Sequence, residues 1–169
     1  MANQFVGYDN IIPLVAPVAG TTGTITSPYM NLKNAQKASF LISFGAVTST
    51  TATDHLLITV DAATAEDGTE AQVDFRYRLA GAVGANTWGA VTTVAAATGC
   101  AAITGAAGDN TALWVEIDPD ALAASDYSFV RFVSTPTASM EAFVIGAVGI
   151  IEARYKQTTH ISATASASA

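Results

Sequence analysis

The chain holds two histidines, His55 and His160, and imidazole is the side chain on which most general-base chemistry and many metal sites depend. His55 follows "TATD" at the start of an apolar run and reads as an ordinary turn histidine. His160 falls in "TTHISATASASA", a low-complexity polar stretch that gives a side chain no fixed position. A Ser-His-Asp arrangement is therefore not expected. The carboxylates fall into two groups, Asp118, Asp120 and Asp126, and Glu66, Asp67 and Glu70. Calcium asks for six to eight oxygen ligands, and neither spacing matches a known calcium loop, so both groups read as acids in turns. Nothing in the order of residues sets two carboxyls on opposite sides of a sugar, as glycoside hydrolysis requires. "GAVGANTWGAV" (81–91) has glycines but lacks the lysine of a phosphate-cradling loop. Trp88 within it is placed as a sugar-stacking platform would be, although packing is the ordinary reading. Trp114 in "ALWVEI" reads as packing. Cys100 is the single cysteine, which excludes an intrachain disulfide and marks a small buried hydrophobe. No catalytic residue, cofactor or metal is expected.

The elements that must position these residues alternate with period two, and no convincing amphipathic helix interrupts them. In "KASFLISFGAV" (37–47), Ala38, Phe40, Ile42 and Phe44 share one face, with Ser39, Leu41 and Ser43 on the other. In "VDFRYRL" (73–79), Val73, Phe75, Tyr77 and Leu79 stand against Asp74, Arg76 and Arg78. Further strands are expected at 55–62, 88–96, 112–117, 127–134 and from 142 to 155. The Asp67-Gly68 pair and "GDN" (108–110) supply turn chemistry. "DPDALAAS" (118–125) predicts one helical turn capped by Asp118, with Pro119 at its first position. The expected fold is an all-β, two-sheet sandwich or jelly roll. It divides into an extended N-terminal arm (1–28) broken by three prolines, a sandwich domain (29–157) and a flexible C-terminal tail (158–169).

Charge narrows the partners. Fourteen acids against seven bases give a net charge of −7, which repels nucleic acid and anionic lipid alike unless the bases cluster. Arg76 and Arg78 are adjacent on one face, but Asp74 shares that face. The apolar run at 142–151 ends at Glu152 after ten residues, half of what a spanning helix needs. Neither direct nucleic-acid binding nor membrane insertion is expected. The first twenty residues lack a basic segment and carry Asp9, Pro13 and Pro17, and read as no signal peptide.

Several phrases together resemble a family of small virion proteins of tailed bacteriophages and prophages. They are an entry carried by Tyr29, Leu32, Lys33, Asn34, Ala35 and Lys37, and an acidic segment with Val115, Asp118 and Leu122. A strand with Asp126, Tyr127, Val130 and Arg131 follows, and an apolar closing strand ends in Ala153, Arg154 and Tyr155. The likeness runs from about Tyr29 to Tyr155, and "DYSFVR" carries two residues more than the pattern between its Tyr and Val. The resemblance implies a non-enzymatic decoration, or cement, protein on the outer surface of the phage head. Its partners would be the major capsid protein and further copies of itself in a dimer or trimer. A tail or baseplate subunit and a carbohydrate-binding or adhesin module are the alternatives.

The closing strand is apolar on both faces, which is expected of a strand in a thick core or at a subunit contact. The face bearing Phe143, Ile145 and Ile151 is read as an interface, joined by Ile11, Ile12 and Leu14 of the arm. Full burial of that face inside one sandwich is the competing reading.

Overall fold

The computed structural model describes residues 9–154, apart from 52, 82–83, 106–107 and 138–139 and the side chain of Asp9. The tail at 158–169, His160 and Tyr155 lie outside the described residues.

Strong alternation becomes strand. β10 (Ala112–Ile117) buries Leu113, Val115 and Ile117 and turns Trp114 and Glu116 outward. β4 (Ala35–Ser49) buries Ala38, Phe40, Ile42 and Phe44, and β5 (His55–Ala63) buries Leu56, Ile58, Val60 and Ala62. The remaining strands are β1 (Asp9–Gly20), β2 (Ile25–Thr26), β3 (Met30–Asn31), β6 (Glu70–Gln72), β7 (Phe75–Leu79), β8 (Thr92–Val94), β9 (Cys100–Thr104), β11 (Phe129–Pro136) and β12 (Met140–Ala153). One helical turn, α1 (Pro119–Ala123), links β10 to β11. The Asp118 carboxylate accepts from the Asp120 amide at 3.0 Å and caps it, as the sequence predicts.

The strands form two antiparallel sheets. The first runs β1, β12, β4, β10, β7, β8; the second runs β2, β11, β5, β6, with β3 paired to β11 and β9 to β5. After β4 the chain repeatedly crosses between them, while β5–β6 and β7–β8 pair within one sheet. Phe40 of the first sheet meets Phe132 of the second edge to face, with ring centres 5.5 Å apart, and this pair lies at the middle of an all-β sandwich.

β1 occupies the place where proline is tolerated, a sheet edge. It pairs along β12 from Asp9 opposite Glu152 to Gly20 opposite Phe143, with two register shifts around Pro13 and Pro17. Residues 9–20 of the expected arm are thus an integral strand of the sandwich.

The face of β12 expected to form an interface is instead part of the core. Phe143, Ile145 and Ile151 are 1%, 0% and 5% exposed and belong to the core. Leu14 is buried with them, Ile12 packs against the same core, and Ile11 alone of the six is exposed. Period two fixes which residues share a face, but on a strand apolar on both sides it does not say which face the second sheet covers. Here the second sheet covers the Phe143 side, where Met30 of β3 packs against Gly149.

Candidate functional site

Five large apolar side chains are exposed among the described residues, and all belong to the first sheet or its loops. Ile11 and Val18 lie on β1, while Trp88, Val91 and Trp114 lie at the opposite side. Register explains how they are joined. Trp114 stands opposite Leu41 on one side and Arg78 on the other; Leu41 is opposite Val148, and Val148 is opposite Pro13. Directly paired residues share a face, so this is one row over five strands, about 19 Å across at the usual strand spacing. A second row alongside it holds Ile11, Ile150, Ser39, Glu116 and Arg76. The rows are apolar toward β1 and mixed aromatic and charged toward β7.

The aromatic end is a built corner. The loop after β7 doubles back, with the Gly81 amide donating to the Thr87 carbonyl (2.9 Å) and the Gly89 amide to the Leu79 carbonyl (2.8 Å). Ala80 bridges to Trp88, which brings its ring to 5.8 Å from that of Trp114 at an interplanar angle of 72°. Beside Trp114 lies a shallow cavity of about 210 Å³, lined by Arg76, Tyr77, Arg78, Val91, Trp114 and Glu116. The Arg76 guanidinium is 3.5 Å from the Glu116 carboxylate, both half in water, a pairing worth about 0–1 kcal/mol. Arg78 has no ion-pair partner among the described residues.

Trp114 was expected to be packing; it is 43% exposed, and Trp88 is 37% exposed. Alternation within "ALWVEI" carried the signal, because Glu116 two residues on shares the outward face of Trp114.

The other sequence-derived groups have structural duties. Asp118 caps α1 and Asp120 pairs with Arg154, so the three aspartates do not gather around a point. The Arg154 amide donates to the Asn34 carbonyl (2.9 Å) and its Nε to the Ala35 carbonyl (3.2 Å). Residues that carried the virion-protein resemblance, Lys33, Asn34, Ala35, Asp126, Tyr127 and Arg154, thereby meet at one end of the sandwich around an open polar basin of about 480 Å³. Asn34 and Asp126 adopt positive φ (65° and 56°), a conformation that Asn and Asp tolerate better than other non-glycine residues. Glu70 leaves the Glu66–Asp67 turn to accept from the Tyr29 hydroxyl and, at 2.5 Å, from Arg131, whose guanidinium lies 4.8 Å over the Tyr29 ring. Burial, with Glu70 nearby, raises the Asp61 carboxyl above its ordinary range, opposed by Arg131 across the strand pair. Cys100 is buried and burial pushes its thiol up, which makes it a poor nucleophile. His55 Nδ1 is 3.0 Å from the Thr53 carbonyl in a turn. Among the described residues no group of three or more His, Cys, Asp or Glu is placed to hold a metal ion, and no helix is long and apolar enough to cross a membrane.

No protein-family model matches the chain, and no curated protein matches it. A solved structure of the infectious bursal disease virus Gx strain is similar at 15% identity with a TM-score of 0.24, and its alignment covers 85% of this chain and 41% of its own. Such a likeness is too low to carry an argument about this protein.

Proposed function

We propose that the protein is a non-enzymatic virion component that decorates the outside of a phage head and reinforces it across subunit junctions. The observation that carries this reading is the exposed edge strand β1, with Ile11 at 45% exposure on the outer face of the sheet and Val18 at 42% on the other face, opposite Ile145. Prolines and two register shifts interrupt the ladder of that edge, which disfavours open-ended strand addition. Docking then proceeds through side chains, edge-on to the shell. Asp9 and Glu152, close to the two limits of the described residues, are paired neighbours on this edge.

A protein that binds the assembled shell more tightly than it binds free capsid subunits converts its binding free energy into shell stability by linkage. Placement of a dimer or trimer at a symmetry axis multiplies individually weak contacts through effective concentration. The net charge of −7 suits an exterior position away from packaged DNA. The test mixes purified protein with heads that lack it and follows binding together with the temperature at which the heads release DNA. Saturable binding with a raised release temperature supports the reading; absence of binding moves the protein to the tail or to another surface.

A further inference from the structure

We infer that the Trp88–Trp114 corner is a saccharide-binding site for an acidic sugar chain. Two indoles set at 72° and both open to solvent present apolar faces to a ligand that must itself have a flat apolar side. The rim beside them supplies a carboxylate acceptor, Glu116, and two guanidinium donors, Arg76 and Arg78, around the same cavity. A pyranose ring matches this division, with its C–H face on an indole and its equatorial hydroxyls toward the charged rim. At about 210 Å³ the cavity is smaller than the usual 300–1,000 Å³ of an enclosing small-molecule pocket. Open on one side, it takes one or two rings of a longer chain.

Charge selects the sugar. In a protein of net charge −7, Arg78 is a cation with no ion-pair partner among the described residues, directly opposite Trp114 in the strand register. A carboxylate on the sugar ring, as in a uronic acid, completes it by a bidentate pair. An acidic peptide offers the same charge but not the flat apolar C–H face that the two solvent-open indoles present themselves to. The site is about 14 Å, three strand spacings, from β1 and stays open when the molecule docks by that edge. It does not depend on the shell reading.

Trp88 and Trp114 are the two tryptophans of the chain, so intrinsic fluorescence reads the corner directly. The full chain is titrated with tetragalacturonate, cellotetraose and tetraglutamate. The expected result is a saturable spectral shift with tetragalacturonate and about tenfold weaker binding of cellotetraose. R78Q, which keeps both indoles, removes that preference, and W114A weakens tetragalacturonate binding by about tenfold or more in calorimetry. An Ile11→Asp variant keeps sugar binding whether or not it still binds heads. No shift with either sugar overturns the proposal, as does tetraglutamate binding as tightly as tetragalacturonate. Equal affinity for the neutral and acidic sugars, or binding unchanged by W114A in a variant with native circular dichroism, overturns it too.

Discussion

Gly149 of β12 faces Met30 of β3 across the core, and a Cβ at Gly149 would collide with the Met30 sulfur while also pressing on Leu14. Met30 is fully buried, so its thioether has little room to withdraw. Gly149→Val is expected to lower unfolding free energy by about 1–3 kcal/mol, the usual cost of overpacking a core. Urea denaturation checks it, and pairing it with Met30→Ala tests the collision. The double variant is expected to lose less than the sum of the two single losses.

Asp61 sits opposite Arg131 in the second sheet, where Glu70 already binds the guanidinium. Burial first, then Glu70, raises the Asp61 carboxyl above its unfolded value. A raised carboxyl contributes stability that is full below its unfolded pKa, about 4, and is lost as pH rises through the folded value. Asp61→Asn is therefore expected to flatten the fall in melting temperature from about pH 4 toward neutrality. Thermal melts across that range decide it; a variant melting curve that tracks the native protein's at every pH removes Asp61 as the cause.

How much of this was legible in sequence depended on whether two faces differed. β4, β7 and β10 alternate apolar with polar, and their buried residues follow that pattern. β12 does not alternate in polarity, so the grouping of Phe143, Ile145 and Ile151 was readable while the direction of the group was not. A register shift between Met140 and Ala142 further breaks the parity at its start. β9 gives little strand signal, because "CAAIT" sets three small residues before its two β-formers, Ile103 and Thr104. The Trp corner depends on the bridge from Ala80 to Trp88, a contact that no local pattern announces.

Asn34 turns the chain between β3 and β4 at φ 65°, and its carbonyl receives the Arg154 amide that ends β12. Glycine accepts that backbone angle freely, whereas a β-branched residue is strained there. Asn34→Gly is expected to change stability little, and Asn34→Val to cost about 1–2 kcal/mol. Equal losses in the two variants, measured by denaturant midpoint, would assign the role of Asn34 to its side chain instead.

Ile11 and Ile145 separate surface from core on the same sheet. Ile145 is fully buried, and Ile145→Lys puts an unpaired ammonium among Phe and Ile side chains. The cost of several kcal/mol is comparable to the whole stability of a domain this size, so the variant is expected to be largely unfolded by circular dichroism. Ile11 is 45% exposed on the edge strand, and Ile11→Asp is expected to fold with a stability change within about 0.5 kcal/mol. If the β1 flank docks on a shell, that folded variant loses head binding, and combining it with Val18→Asp removes what remains. Retention of full head binding by the folded double variant would place the contact elsewhere on the molecule.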